Sequence, residues 1–111
     1  MAALQQLSPV FPIGSRINEA GNLELGGCDA LELAHEFGTP AFIVVEDDLR
    51  ARARAFVNAF AARTDDYEVV FASKAFPCTA VMRVFEEEGL GCDVASGGEL
   101  ALALRAGFPG E

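Results

Sequence analysis

Lys74 is the only lysine in the chain, and it directly follows an apolar run at residues 67–73. The run predicts a buried strand, and parallel α/β folds build their active sites at the carboxyl ends of strands. A lysine desolvated at such a position is a usable amine nucleophile that can form a Schiff base with a carbonyl compound. The alternative is a lysine that extends its ammonium group from the strand end into solvent. Position and composition leave both interpretations open.

A second candidate stretch covers residues 92–100, with the sequence CDVASGGEL. Asp93 lies near the end of another predicted strand, where a carboxylate would stabilise the cationic forms of a neighbouring site lysine. Gly97 and Gly98 open the following helix, and free backbone N–H groups there could hold a phosphate. The simpler interpretation, which we favour for the glycines, is a tight turn with Ser96 as the helix N-cap and Glu99 in the first turn.

The remaining reactive residue types do not form a site in the sequence. His35 stands alone on a surface-type helix, where we expect it to be solvated, and the acidic run 86–88 is most simply a solvated helix end. Cys28, Cys78 and Cys92 are odd in number and contain no Cys-x-x-Cys pair, which indicates neither a disulfide framework nor zinc. We expect no metal, and the candidate site residues are Lys74 and Asp93.

Composition places the chain among soluble globular proteins, because 51% of its 111 residues are hydrophobic and 23% are charged. The formal net charge of −9 disfavours binding to nucleic acid and to anionic membrane surfaces. No apolar run approaches the roughly 20 residues that span a bilayer. The N-terminus lacks the basic start and long apolar stretch of a secretory signal. We therefore expect a cytoplasmic protein.

The elements that would position Lys74 and Asp93 alternate along the chain. Residues 1–21 predict an irregular arm, residues 22–27 a short strand and turn, and residues 30–37 a helix capped by Asp29 and ended by Gly38. Buried strands are predicted at 41–45, 67–73 and 90–96, and the helices between and after them are predicted at 46–63, 78–89 and 97–107.

Three successive βα units predict an α/β fold with a parallel sheet, either doubly wound or a (β/α)8 barrel. A barrel needs about 250 residues, so we expect this chain to be the N-terminal part of a longer protein or a truncated one. For the first long helix we expect Asp47 or Asp48 as the cap, and one apolar face. The residues of that face are Leu49, Ala53, Phe56, Val57 and Phe60.

Three stretches together resemble one enzyme family. FASKAF at 71–76 resembles the pyridoxal-phosphate lysine motif of the class-II ornithine/lysine/arginine decarboxylases, which have the alanine-racemase-like fold. The stretch EFGTPAFIVVEDDLRARAR at 36–54 and the stretch EEEGLGCDVASGGELALALRAGFPGE at 86–111 resemble the same family. The resemblance covers about residues 24–111.

The resemblance implies a partial (β/α)8 TIM barrel that binds pyridoxal 5'-phosphate. Residues 39–111 would be the N-terminal part of the barrel, and the arm and first helix at 1–38 would pack with a C-terminal β domain. Lys74 would be the catalytic residue that holds the cofactor as a Schiff base, and Asp93 would lie near the cofactor. The SGGEL run at 96–100 favours the branch that decarboxylates meso-2,6-diaminopimelate to L-lysine and CO2 in lysine biosynthesis. Members of the family are homodimers with shared active sites.

Two other functions stay open at this point. The first is a related decarboxylase of ornithine, arginine or a polyamine precursor, because substrate-contacting residues of the family lie downstream. The second is a non-enzymatic pyridoxal-phosphate carrier, or a decayed homologue that regulates a partner. The family's ring-stacking histidine, phosphate loops and late cysteine have no counterpart in the 111 residues. We therefore expect the chain alone to fold poorly and to lack decarboxylase activity.

Overall fold

The computed structural model describes residues 7–110, which form two compact units that divide after Asp48. The first unit contains three short strands and a helix: β1 (Arg16–Ile17), β2 (Leu23–Leu25), β3 (Cys28–Asp29) and α1 (Ala30–Phe37). The strands pair antiparallel in the order β1-β2-β3. The strand and turn predicted at 22–27 are confirmed. The irregular arm was wrong at 16–17, which pair with β2, and the part of it at 1–6 lies outside the described residues.

Helix α1 begins where its sequence signals predicted. The side chain of Asp29 accepts hydrogen bonds from the backbone N–H groups of Leu31 at 2.8 Å and Glu32 at 3.3 Å, which makes it the N-cap. The side-chain amides of Asn22 and Asn18 donate to the same carboxylate at 2.9 and 2.7 Å. These two hydrogen bonds, followed by those of the helix N–H groups, lower the pKa of Asp29. The turn before α1 is thus held by one ionised side chain.

The buried strand predicted at residues 41–45 was wrong. Within residues 7–110 this segment pairs with no strand, and residues 41–44 are exposed, with Phe42 at 100%, Ile43 at 40% and Val44 at 46%. A β-branched sequence fits a pleated, half-buried surface, but it becomes a strand only when a neighbour accepts its backbone hydrogen bonds. Among the described residues, no strand of this unit pairs with it.

The second unit contains the alternation that the sequence predicted from residue 67 onward. Its elements, with the helix that runs into it, are α2 (Glu46–Ala61), β4 (Val70–Ala72), a 3₁₀ turn (Ser73–Ala75), α3 (Thr79–Glu87), β5 (Gly91–Asp93) and α4 (Gly97–Ala106). Strands β4 and β5 pair in parallel, with Val70 opposite Gly91 and Ala72 opposite Asp93. The parallel α/β arrangement is confirmed for these two strands, although each is shorter than predicted.

Helix α2 differs from its prediction at both its start and its face. It begins at Glu46, so Asp47 and Asp48 lie in its first turn and neither is the N-cap. The carboxylate of Asp48 accepts a hydrogen bond from the backbone N–H of Ile13 at 2.9 Å. Ala53 is buried, whereas Phe56 is 61% exposed. Helical spacing decides which residues share a face, but burial also requires a surface packed against that face.

The core of the second unit lies between α3, α4 and the parallel strands. Its buried members are Met82, Ala103, Ala106 and Phe108. Phe71, Cys92, Val94 and Leu102 pack against them. Met82, on α3, has no exposed surface. Burial raises the pKa of the Cys92 thiol, so this cysteine behaves as a small apolar residue.

The acidic end of α3 is an ion-pair network rather than the solvated face that the sequence suggested. The side chain of Glu88 is only 9% exposed and receives two hydrogen bonds from Arg54, at 2.7 and 2.8 Å, and one from Arg50 at 3.0 Å. Arg50 also pairs with Glu87 at 2.6 Å. The pKa of Glu88 is lowered, first by the hydrogen bonds from Arg54 and Arg50. The network joins α2 to α3.

Glycine ends two of the helices as predicted. Gly107 follows α4 with φ 110° in the left-handed region, and its N–H reaches the carbonyl oxygens of Ala103 and Leu104. Gly38 follows α1 with φ 83°. An L-residue rarely adopts these angles, so both positions require glycine.

None of the helices formed by residues 7–110 combines the length and the apolar character that a membrane span requires.

Candidate active site

Lys74 lies immediately beyond the carboxyl end of β4, in the 3₁₀ turn Ser73–Ala75. The residue is exposed, and within residues 7–110 its ammonium group makes no hydrogen bond or ion pair. The strand therefore delivers the amine to one end of the parallel pair, at the position that the apolar run predicted. In the described part of the chain the lysine is solvent-exposed, as in the alternative interpretation, and not desolvated.

The neighbouring residue, Ser73, fixes the turn that carries Lys74. Ser73 is completely buried, and its Oγ lies 2.8 Å from the carbonyl oxygen of Asp93 and 2.7 Å from Oε1 of Glu99. One hydroxyl group at the end of β4 thus lies within hydrogen-bond distance of the end of β5 and of the first turn of α4. A turn held from a fully buried position gives the lysine beside it a defined backbone location.

Glu99 is the residue that sequence reasoning missed. Its carboxylate accepts hydrogen bonds from the hydroxyl of Ser73 and, at 2.9 Å, from the hydroxyl of Ser96. The Ser96 hydroxyl is also the N-cap, and it accepts from the backbone N–H of Glu99 at 3.2 Å. These two hydroxyls, then the backbone N–H of Ala95 and the positive charge of Lys74, lower the pKa of Glu99. The only sequence signal was the Ser-x-x-Glu capping pattern, which explains the bond with Ser96 but predicts no contact with β4.

Asp93 ends β5 and is exposed. Because Ala72 and Asp93 are partners in a parallel pair, Lys74 and Asp93 leave the sheet at the same end. The structure therefore brings both predicted site residues to one edge, and it adds Glu99 as a second carboxylate there.

The glycines at the start of α4 are not required by the fold of this unit. Neither Gly97 nor Gly98 has a positive φ, and a Cβ would meet nothing within 4 Å at the first and only the Ser96 hydroxyl at 3.8 Å at the second. Ser96 is the N-cap, as the simpler interpretation of this stretch predicted.

Other candidate features lie outside this edge. His35 is exposed on α1, as expected, and Cys78 precedes α3 with no side-chain capping bond. A cavity of about 360 Å³ in the first unit is lined by apolar and backbone groups, and Thr39 contributes its one polar side chain. None of these adds a titratable group to the edge that carries Lys74.

The site thus defines a class of chemistry. An accessible primary amine stands at the carboxyl end of a parallel strand, and two carboxylates at the same edge provide negative charge. An amine in this setting can bind a carbonyl-bearing cofactor covalently, and the carboxylates stabilise positive charge on nitrogen. These groups make the edge a candidate site for a cofactor that binds through an amine.

Comparison with known proteins identifies the family. The profile described as "Pyridoxal-dependent decarboxylase, pyridoxal binding domain" matches residues 46–111, more than half of the chain. The chain belongs to this family, and its cofactor is pyridoxal 5'-phosphate. The matched segment contains the residues of the Lys74 edge, which are Ser73, Lys74, Asp93 and Glu99.

Individual relatives agree. A diaminopimelate decarboxylase from Actinosynnema pretiosum is 51% identical over 102 residues, which are 92% of this chain and 22% of the relative. One from Bacillus methanolicus is 48% identical over 95 residues, 86% of this chain and 22% of the relative. The crystal structure of diaminopimelate decarboxylase from M. jannaschii in complex with L-lysine aligns with a TM-score of 0.79 and 33% identity, over 86% of this chain and 23% of that one. The chain spans about a fifth of the length of these relatives.

Proposed function

We propose that this chain is the N-terminal part of a diaminopimelate decarboxylase, which converts meso-2,6-diaminopimelate into L-lysine and CO2, and that Lys74 anchors its pyridoxal phosphate. The observation that carries the proposal is the exposed amine of Lys74 at the end of β4, inside the segment that matches the pyridoxal-binding domain. The substrate is taken from the relatives, which bear this enzyme's name at 44–51% identity.

The residues of this edge have distinct roles in the proposal. Lys74 Nζ is the attachment point of the cofactor, and Asp93 lies beside it at the end of the neighbouring strand. Bound pyridoxal phosphate supplies an electron sink for the carbanion that remains when a carboxylate leaves the substrate. The accessible, unpaired amine fits this role because no side chain within residues 7–110 competes for it.

We place β4 and β5 in a partial (β/α)8 barrel, with residues 39–111 as its N-terminal part. Two features support this assignment. The two parallel strands have no further strand beside them among residues 7–110, and large apolar side chains stay exposed next to them, including Val70 at 51% and Leu104 at 51%. The family model of the pyridoxal-binding domain also matches residues 46–111, which include both strands.

The remaining parts of the proposal follow from the family. Residues 1–38 are an arm that packs with a β domain present in the longer relatives. The longer protein acts as a homodimer in the cytoplasm, with an amino acid as its substrate. The 111-residue chain alone has no decarboxylase activity, because the shell around Lys74 is completed by other parts of the protein.

A hybrid enzyme tests the activity. Residues 1–111 would replace the matching segment of the Actinosynnema pretiosum decarboxylase, and CO2 release from meso-2,6-diaminopimelate, ornithine and arginine would be measured. We expect turnover of diaminopimelate that is lost in Lys74→Ala and kept in the control His35→Ala, on an exposed helix position. A folded hybrid that prefers ornithine or arginine would refute the substrate, and full activity of Lys74→Ala would refute the anchor.

The anchoring step can be tested on the chain itself. Because Lys74 is the only lysine, treatment with pyridoxal phosphate and then borohydride should label one side chain. Peptide mapping is expected to find the label on the peptide that contains Lys74, and Lys74→Arg should leave only labelling of the N-terminal amine. Equal labelling of Lys74 in native and urea-unfolded chains would show that the folded edge contributes nothing to binding.

A further inference from the structure

The buried hydroxyl of Ser73 faces two acceptors with a single hydrogen. Its Oγ is 2.8 Å from the carbonyl oxygen of Asp93 and 2.7 Å from Oε1 of Glu99, and both distances are those of hydrogen bonds. A hydroxyl has one O–H donor and can accept through its lone pairs. While Glu99 is ionised, Ser73 can give a full hydrogen bond to only one of these oxygens.

A proton on Glu99 satisfies both contacts without moving any heavy atom. The protonated carboxyl group then donates from Oε1 to Ser73 Oγ, and Ser73 turns its own hydrogen to the carbonyl oxygen of Asp93. When the proton leaves, the hydroxyl rotates back and donates to Oε1. The same oxygen positions therefore fit both protonation states of Glu99, and only the Ser73 hydrogen changes direction.

We propose that Ser73 is a positioning residue of the Lys74 site, and that its hydroxyl acts as a rotor that holds the Lys74 turn in place whether or not Glu99 carries a proton. The inference rests on the proposed function, in which each CO2 released is replaced on the substrate carbon by one proton. A site that takes up protons benefits when protonation of a nearby carboxylate leaves the anchoring turn undisturbed. Ser73 is suited to this because it is adjacent to Lys74 and fully buried.

The groups around Glu99 make the ionised form its resting state. Besides Ser73, the hydroxyl of Ser96 donates to the carboxylate, and the backbone N–H of Ala95 and the positive charge of Lys74 also lower the pKa of Glu99. The acidic groups near it are Asp93 and the partly buried thiol of Cys92, and the charges of Asp93 and Glu99 both raise the pKa of that thiol. The hydrogen bonds and the positive charge together favour the ionised form of Glu99.

Carbon NMR of protein labelled in its glutamate carboxyl groups would test the rotor. The Glu99 signal is the one that Glu99→Gln removes. We expect Ser73→Ala to raise the pKa of Glu99, because the ionised form loses a donor, and Ser73→Thr to restore the native titration because it keeps the hydroxyl. If the extra methyl of threonine prevents folding in this buried place, Ser73→Cys, a weaker donor, should give an intermediate shift.

Lys74 provides a second readout, since a chain labelled with ¹⁵N-lysine gives one backbone amide signal. In the native protein this signal should move little as Glu99 titrates, and in Ser73→Ala it should move further, with the midpoint of Glu99. An unchanged Glu99 titration in Ser73→Ala, or equal movement of the Lys74 signal in both proteins, would show that Ser73 only fills space.

Neither readout needs pyridoxal phosphate, so the outcome separates this inference from the proposed function. Both measurements would be made on the 111-residue chain, and the glutamate titration also on the hybrid enzyme without cofactor. If the Glu99 titration and the Lys74 amide signal change in Ser73→Ala as expected, but pyridoxal phosphate does not label Lys74, only the proposed function is refuted. If pyridoxal phosphate labels Lys74, but Ser73→Ala changes neither the Glu99 titration nor the Lys74 amide signal, only the role of Ser73 is refuted.

Discussion

Truncation of Met82 tests the packing that supports the Lys74 edge. Met82 has no exposed surface and contacts the small residues of α4 and the ring of Phe108. Met82→Ala removes three heavy atoms beyond Cβ, worth about 0.8 kcal/mol for each buried methylene-sized group, or about 2.4 kcal/mol. The cavity left behind adds to this, and buried methionine-to-alanine changes cost about 2–5 kcal/mol in total. We expect a loss of about 3–4 kcal/mol in the free energy of unfolding.

This loss is large relative to the stability of a small unit. Native proteins have roughly 0.05–0.15 kcal/mol of stability per residue, so a unit of about 60 residues has on the order of 3–9 kcal/mol. Urea unfolding followed by tyrosine fluorescence reports on the second unit, because Tyr67 is the only tyrosine and the chain has no tryptophan. If Met82→Ala does not fold, Met82→Leu conserves volume and should cost less than about 1.5 kcal/mol.

The control is Leu104→Ala on α4, where the side chain is 51% exposed. It also removes three heavy atoms beyond Cβ, but it leaves no closed cavity and replaces leucine with the best helix former. Its cost should be well below that of Met82→Ala. Equal costs for the two substitutions would refute the packing that the structure shows around Met82.

Two further substitutions test contacts of the second unit. Glu88→Gln should lower the free energy of unfolding at pH 7 and weaken the pH dependence of that free energy. Arginine hydrogen bonds lower the pKa of Glu88 from 4.5. The stabilisation by Glu88 is therefore present above pH 4.5 and is lost as the pH falls through the lowered pKa. Urea midpoints at pH 7 and pH 3 measure this, and Glu86→Gln on the same helix should leave the pH dependence intact. Gly91→Ala should cost about 1–3 kcal/mol, because its Cβ would lie 2.9 Å from Val70 Cγ1. The matched change Gly97→Ala meets no atom within 4 Å, and a thermal midpoint as low as that of Gly91→Ala would contradict this explanation.

Local signals were sufficient for the helices that follow the parallel strands. Ser96 before α4 and Gly107 after it are capping residues that act within one turn, and the structure places α4 between them. Asp29 likewise starts α1. The apolar run ending at Lys74 predicted a strand that delivers the lysine to its carboxyl end, because a run of β-branched and aromatic residues between turn signals favours a strand. Helix ends and strand propensity depend on neighbouring residues, so one sequence reveals them.

Pairing and burial between distant residues were decided only by the tertiary structure. Residues 41–45 have the same apolar character as the strand before Lys74, yet among residues 7–110 they find no partner strand. Glu88 lies in an acidic run that suggested a solvated face, but two arginines more than thirty residues away enclose it. Ser73 and Glu99 are 26 positions apart, and the capping pattern, which accounts for the bond from the Glu99 N–H to Ser96, predicts no bond between them. The sequence by itself determined where the candidate lysine lies and the helices around it. The tertiary structure decided which carboxylates meet at the same end of the strands, because those contacts exist only when β4 and β5 pair.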